Sequence, residues 1–143
     1  MAGYSGKPLA QKLGIVTGSA VAAIGAPANY RELLGPPPDG VRFCEVSAKA
    51  AVIHYFCTER ARLAKDLPGL RKKMRDDAML WVSWPKKSAG VPTTVTEDVV
   101  REYALPLGLV DTKVCAVDET WSALRLVVRL ANRKLTARPR PVA

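Results

Sequence analysis

The stretch that decides the fold is AMLWVSWPKK, at residues 78–87. Its apolar run does not alternate with polar residues, which is typical of a strand covered on both faces in an α/β protein. Pro85 ends the run, and Lys86 and Lys87 follow it directly. The sequence therefore predicts a buried strand at 79–84 whose carboxyl end carries two cations.

The segment after this strand predicts a helix and a hairpin. Thr94 and Glu97 have the spacing of a capping box, which predicts a helix over residues 95–105. Two alternating apolar runs follow at 110–117 and 121–130, and the three residues between them predict an antiparallel hairpin. Strand, helix and hairpin in this order indicate the second half of an α/β sheet of the nucleotide-binding type.

The first half of the chain supplies further strand candidates at 20–24, 41–46 and 51–57. Only residues 47–50 separate the last two, and such a link spans at most about 14 Å. A parallel crossover normally needs a dozen or more residues. We therefore expect the middle candidate to be shortened to about 41–44.

Residues 58–75 have helical spacing of apolar side chains, but Pro68 and Gly69 interrupt the pattern. Proline removes a backbone donor and disrupts the preceding turn. The sequence thus predicts two short helices, at 59–65 and 68–74, rather than one long helix.

Length and composition place these elements in one domain. The chain has 143 residues, of which 48% are hydrophobic and 24% charged, which is ordinary for a globular protein. We expect a single Rossmann-like α/β domain at 8–130, a three-layer sandwich whose mostly parallel sheet ends in an antiparallel hairpin. Residues 1–7 are predicted to be a flexible N-terminus, and residues 131–143 a basic, disordered tail.

The residue types argue against a zinc site and against association with a membrane. Three dispersed cysteines and one histidine argue against a zinc site, so no metal is expected. The apolar runs are shorter than the roughly 20 residues that cross a bilayer, and the start of the chain lacks a signal-peptide core. No membrane association is therefore expected, and the expected location is cytoplasmic.

The net charge of +9 is unevenly distributed. Residues 59–75 hold seven basic and two acidic groups, and residues 131–143 hold four basic groups and no acidic ones. The segment 76–130, which carries the candidate site below, is slightly acidic. Association with nucleic acid is an alternative for the two basic segments, but neither contains the interleaved aromatic residues that read bases.

The order of elements resembles the scaffold of class I S-adenosylmethionine-dependent methyltransferases, over roughly residues 8–130. In that family the sheet also closes with a helix and an antiparallel hairpin, and the strand before them often ends in a segment like LWVSWP. The family's glycine-rich cofactor loop corresponds here to residues 23–27, AIGAP, which contain one glycine and a proline. Its ribose-binding acidic residue corresponds to Glu45, and its third strand has no counterpart.

The chain is more closely similar to a family of small, uncharacterised bacterial proteins that share a domain of unknown function. The resemblance lies in WVSWPKK at 81–87, VTEDVVRE at 95–102, ALPLGLVDTKVCAVDETWSAL at 104–124 and GKPLAQKLGI at 6–15. It implies the Rossmann-like fold and a bacterial origin. It implies no activity, because none is established for the family.

The candidate ligand-binding site combines residues that end neighbouring strands. We expect segments 78–84 and 110–117 to lie side by side and to point the same way, so that their ends share a crevice. The site is predicted to contain Trp84, Lys86, Lys87, Asp118, Glu119 and Trp121.

Each type of residue in this site has two interpretations. The lysines either clamp an anion beside the helix N-terminus or begin a solvated loop. The carboxylates either pair with the lysines or form the hairpin turn. The tryptophans either stack on a planar ligand or pack in the core. His54 is interpreted as a core histidine, because spacing places no nucleophile beside it.

The residues favour a non-enzymatic or vestigial binding module that holds an anionic small molecule or an acidic segment of a partner protein. The first alternative is a degenerate S-adenosylmethionine-dependent methyltransferase-like enzyme, and the second is a weakly nucleic-acid-associated protein. No catalytic residue and no cofactor is assigned from the sequence, and whether the protein is an enzyme stays open.

Overall fold

The computed structural model describes residues 7–129, within which six strands and four α-helices form one α/β unit. The strands are β1 (Ala20–Ile24), β2 (Arg42–Phe43), β3 (Val52–Phe56), β4 (Met79–Pro85), β5 (Leu109–Ala116) and β6 (Trp121–Val128). The helices are α1 (Leu9–Lys12), α2 (Tyr30–Leu34), α3 (Arg60–Lys73) and α4 (Glu97–Ala104). The predictions for residues 1–6 and 130–143 lie outside the described residues.

The sheet has the strand order β2-β1-β3-β4-β6-β5. The first four strands are parallel, and β6 runs antiparallel to both β4 and β5. This arrangement confirms the Rossmann-like class, with the antiparallel hairpin at one end of a mostly parallel sheet. In addition, β2 lies at the edge of the sheet, and no further strand pairs with its outer side among the described residues. This agrees with the expectation that the third strand of the methyltransferase scaffold has no counterpart here.

One expectation about the sheet is wrong: β4 and β5 are not side by side. They do point the same way, but β6 lies between them. The reason is the burial of the two hairpin strands. Ala123, Leu124 and Leu126 of β6 are buried, whereas β5 exposes Lys113 and Val114, so the more apolar strand takes the inner position.

The shortening of the second strand is confirmed, since β2 contains only two residues. The helices differ more from expectation. The helix α3 is continuous through Pro68, because Leu63, Leu67 and Leu70 are buried at helical spacing on both sides of the proline. This packing offsets the hydrogen bond that proline cannot make.

The start of α4 also differs from the capping-box prediction. Thr96, not Thr94, is the N-cap, and its Oγ1 accepts a hydrogen bond from the Val99 amide. The Thr94 Oγ1 instead accepts from the Arg60 amide at 2.7 Å, where it caps the first turn of α3. Only Thr94 has the glutamate three residues later that a capping box requires, but its contact with α3 leaves Thr96 to cap α4.

Two apolar clusters lie on the two faces of the sheet. On one face α3 and α4 cover the strands, with Leu63, Leu67 and Val100 fully buried. On the other face the much shorter α1 and α2 pack over Val52 and Trp81. No helix among residues 7–129 is long and apolar enough to span a membrane.

Candidate functional site

The β4 end and the hairpin turn meet at the carboxyl edge of the sheet. Pro85 pairs with Trp121, and the Lys86 amide donates a hydrogen bond to the Thr120 carbonyl oxygen at 2.8 Å. The two lysines that follow β4 are thereby held beside the turn. We call the surface formed here by Lys86, Lys87, Glu119 and Trp121 the rim.

The two carboxylates of the hairpin have different surroundings. Asp118 Oδ1 accepts hydrogen bonds from the amides of Thr120 at 2.9 Å and Trp121 at 2.8 Å, so this side chain organises the turn. Glu119 is exposed and has no side-chain partner within the described chain. Asp118 therefore has the structural role, and Glu119 is the carboxylate that faces solvent at the rim.

The two predicted tryptophans lie on opposite faces of the sheet. Trp84 is 7% exposed and packs in the cluster under α3 and α4. Trp121 is half-buried on the other face, where its ring meets Phe56 edge-on with centroids 5.0 Å apart. They do not form a common stacking wall, and of the two only Trp121 borders the rim.

The helix that follows the lysine loop does not offer a simple anion site. Thr96 already caps α4, and Glu97 and Asp98 lie in its first turn. Acidic side chains at this position complement the positive end of the helix dipole and repel a bound anion. The N-terminus of α4 therefore does not favour an anion at the rim.

A cleft of about 420 Å³ opens at the same edge of the sheet, beyond β1 and β2, where the resemblance placed the counterparts of the cofactor loop and of the ribose-binding residue, Glu45. It lies on the face covered by α1 and α2. Its lining consists of Ala23, Ala28, Tyr30, Arg31, Phe43, Cys44 and Glu45. Sequence reasoning did not bring Tyr30, Arg31, Phe43 and Cys44 to this position.

The two charged groups of the cleft have no charged partner among the described residues. The Arg31 guanidinium lies 3.6 Å from the centroid of the Phe43 ring, and stacking of this kind is favourable. Neither Arg31 nor Glu45 forms an ion pair or a side-chain hydrogen bond within residues 7–129. Both side chains are exposed at the cleft.

A buried polar network lies behind Tyr30. The His54 Nδ1 is 2.8 Å from the Tyr30 hydroxyl, and the His54 Nε2 is 2.6 Å from Ser83 Oγ. Spacing in the sequence did not place Ser83 beside His54, but the register of β3 and β4 does. Ser83 and His54 are both fully buried. The network therefore pairs a serine hydroxyl with an imidazole, as in hydrolase sites, but at a place that a substrate cannot reach.

Burial sets the protonation of this network. It lowers the pKa of His54 from 6.5 to about 3, and it raises the pKa of Tyr30. Both groups are therefore neutral near pH 7. The interpretation of His54 as a core histidine agrees with this geometry.

The loop after β1 does not fit S-adenosylmethionine in the way the methyltransferase pattern requires. Gly25 has a φ of +69°, and a Cβ built on it would lie 3.0 Å from the Phe56 carbonyl oxygen. This glycine therefore serves close packing against β3. Pro27 has no amide proton, so the loop offers a cofactor one backbone donor fewer than a glycine at this position would.

The basic face of α3 is largely neutralised by neighbouring acids. Ion pairs link Arg60 to Glu102, Arg62 to Asp66, Arg71 to Asp76 and Arg75 to Asp77. Lys65, Lys72 and Lys73 remain exposed. The nucleic-acid alternative thus has fewer free cations on α3 than the sequence suggested, and the basic tail lies outside the described residues.

Comparison with known proteins supports the fold and identifies a family for which no function is known. The model of a family described as "Protein of unknown function (DUF3052)" matches residues 45–130. No curated protein matches the sequence.

Three solved structures illustrate the fold. Magnesium protoporphyrin IX methyltransferase from Synechocystis PCC 6803, with bound SAH, has a TM-score of 0.54 and 11% identity, covering 78% of this chain and 74% of that chain. A possible exported protein from Bordetella parapertussis has a TM-score of 0.60 and 10% identity, covering 84% of this chain and 64% of that chain. TrmN from Thermus thermophilus has a TM-score of 0.54 and 11% identity, covering 85% of this chain and 47% of that chain.

These likenesses concern the fold alone, because identities of 10–11% carry no activity across. The chain also spans less than two thirds of the Bordetella and Thermus proteins. The methyltransferase-like Rossmann fold is thus established, and the chemistry at the carboxyl edge has to be argued from this chain's own residues.

Proposed function

The chain belongs to the DUF3052 family of proteins of unknown function, and we propose that it is a non-enzymatic or vestigial binding protein that holds an anionic ligand at the rim. The family model spans β3 to β6, so the whole rim lies inside the matched segment. The cleft lies mostly outside it, since Glu45 alone of its lining residues falls within 45–130.

The observation that carries this proposal is the hydrogen bond from the Lys86 amide to the Thr120 carbonyl. It fixes two consecutive lysines at the carboxyl edge of a mostly parallel sheet, where open α/β sheets bind their ligands. Lys87 is exposed and has no ion pair within the described chain, so its ammonium group is free to meet an anion.

The other two rim residues define the kind of anion. Trp121 presents a half-exposed ring against which the body of a ligand can pack. Glu119 adds a negative charge nearby, and like charges disfavour a partner that brings several carboxylates. A compact ligand with one phosphate or carboxylate group therefore suits the rim better than an acidic protein segment.

A charge-matched pair of variants tests the proposal. We expect Lys86→Ala/Lys87→Ala to weaken binding of inorganic phosphate and of small phosphate monoesters roughly tenfold, measured by NMR titration at low salt. The control Lys72→Ala/Lys73→Ala removes the same charge from the exposed end of α3 and should bind like the wild type.

Three outcomes would count against the rim as the binding site. They are equal weakening in both double variants, unchanged affinity in the rim variant, and no binding of any of these probes to the wild type. S-adenosylmethionine belongs in the same titration, because binding that survives the rim substitutions would favour the methyltransferase-like alternative.

A further inference from the structure

A loop with three consecutive prolines, at residues 36–38, joins α2 to β2 at the amino edge of the sheet. The rim follows β4 at the opposite, carboxyl edge, because the first four strands are parallel. We propose that this loop, together with Val16, is a docking surface for a partner protein that has an aromatic-lined groove for extended proline segments. This surface goes beyond the function proposed for the rim and does not depend on it.

Covalent geometry restricts the conformation of this loop. Each proline ring holds φ near about −65°, and a residue that precedes a proline is restricted to extended ψ values. Pro36 and Pro37 each precede a proline, and the described residues contain no cis peptide bond. Both residues therefore adopt the polyproline II conformation, which has three residues per turn and no internal hydrogen bonds.

The groups that an aromatic groove recognises are available on this loop. Pro36 and Pro37 are exposed, whereas Pro38 is partly buried and faces the rest of the protein. The carbonyl oxygens of Pro36 and Pro37 accept no hydrogen bond within residues 7–129. Tryptophan or tyrosine side chains of a groove can therefore stack on two proline rings and donate hydrogen bonds to two carbonyl groups.

Both ends of the loop are anchored to the protein. On one side Leu34, at the end of α2, is 1% exposed. On the other side the Gly18 amide donates to the Asp39 carbonyl oxygen at 2.9 Å, and the Val41 amide donates to the Pro38 carbonyl oxygen at 3.4 Å. A segment that is held in its bound conformation loses little freedom on binding, so this loop is a preorganised ligand for a groove.

The hydrogen bond from Gly18 also ties the proline loop to the loop that carries Val16. Val16 is 64% exposed, which is the highest exposure among the large hydrophobic side chains of the described residues. A single exposed valine is ordinary, but this one faces solvent at the same edge of the sheet as the exposed prolines. We therefore expect the contact with the partner to extend from the prolines to Val16.

Asp39 gives the docking surface a charge at one end of the proline segment. Its side chain is exposed and has no ion pair or hydrogen bond within residues 7–129. A charge at one end selects one of the two directions in which an extended segment can lie in a groove. The partner therefore combines aromatic side chains along the groove with a lysine or arginine at the end that meets Asp39.

Binding can be measured with purified domains of three classes that recognise proline segments: an SH3, a WW and an EVH1 domain. Each domain is titrated at low salt into the isotope-labelled full chain and followed by NMR. We expect at least one domain to bind with a submillimolar Kd and to shift the amide signals of Val16, Gly18 and Asp39. Absence of binding by all three domains, or shifts confined to other parts of the chain, would overturn the proposal.

A matched pair of double variants locates the contact. Pro36→Ala/Pro37→Ala removes both exposed rings and loosens the backbone, so it should weaken the bound domain at least about tenfold. The control Pro92→Ala/Pro106→Ala removes two exposed prolines elsewhere and should bind like the wild type. Thermal melts establish that both variants are folded. Equal weakening in the two variants, or unchanged affinity in the loop variant, would refute the assignment.

Two further variants test the charge and the independence from the rim. Asp39→Asn should weaken binding several-fold at low salt and reduce its salt dependence, because the pair with the cationic end of the groove is lost. Binding of the domain should persist in Lys86→Ala/Lys87→Ala. An unchanged salt dependence in Asp39→Asn would contradict the charged end, and loss of binding in the rim variant would contradict a separate surface.

Discussion

Lowering the pH should destabilise this protein in large part through one side chain, His54. It is the only histidine in the chain, it is fully buried, and burial lowers its pKa from 6.5 to about 3. Between these two values the unfolded chain binds a proton that the folded chain excludes. The stability contributed by the neutral imidazole is therefore fully present above pH 6.5 and is lost as the pH falls towards 3.

The size of the effect follows from the two pKa values. Each unit of difference corresponds to about 1.4 kcal/mol. At pH 4.5 the unfolded histidine is two units below its pKa, so the free energy of unfolding should fall by about 3 kcal/mol relative to pH 7. This is a large share of the roughly 5–15 kcal/mol that typically stabilises a domain.

Carboxylates also titrate in this pH range. The contribution of His54 is therefore measured by comparison with a variant that lacks the imidazole. Tyr30→Phe/His54→Phe/Ser83→Ala removes the histidine and both of its hydrogen-bond partners, and thus leaves no buried hydroxyl of this network unpaired. We expect urea unfolding, followed by circular dichroism, to show about 3 kcal/mol less loss between pH 7 and pH 4.5 in this variant.

The imidazole can also be observed directly, because one histidine gives one set of side-chain NMR signals. Its chemical shifts should stay constant from pH 7 to below pH 4.5 while the protein remains folded. A titration midpoint near pH 6, or the same pH dependence of unfolding in the wild type and the triple variant, would refute the reasoning.

Two further predictions concern the backbone that positions the sites. Gly25→Ala should destabilise the protein by about 1–2 kcal/mol, because the residue has a φ of +69° and the new Cβ would press on the Phe56 carbonyl. Gly69→Ala is the control, since it is helical with nothing within 4 Å and should be stabilising in thermal melts. Thr94→Ala should cost about 1 kcal/mol through the lost cap of α3, and no loss in urea unfolding would contradict that role.

Local patterns were enough to predict the elements that form from neighbouring residues. The non-alternating run at 79–84 is a central strand, the three-residue link forms the hairpin turn, and the shortness of 47–50 required the truncated β2. These features depend on periodicity and on the reach of the chain, which the sequence contains. Lys86 does meet the hairpin turn, but through the pairing of β6 with β4 and not through the expected adjacency of β4 and β5.

Features that depend on packing between distant segments were not predictable in this way. Pro68 stays inside α3 because buried leucines on both sides hold the helix to the sheet. Ser83 meets His54 only through the register of two strands. The cleft requires the position of α2 over β1 and β2, which no pattern in residues 20–45 specifies.

The strand β2 has only two residues, so the two sides of the cleft differ in local stability. The strand β2 pairs with the sheet over two residues only, and the amides of Arg42 and Cys44 donate hydrogen bonds to the carbonyl oxygens of Ser19 and Val21. Segments with so few contacts open locally at a small fraction of the global unfolding free energy. We expect the segment that carries Phe43 to open locally while the strand that carries Ala23 stays in place. Amide hydrogen exchange in β2 should therefore be far faster than in β3 and β4.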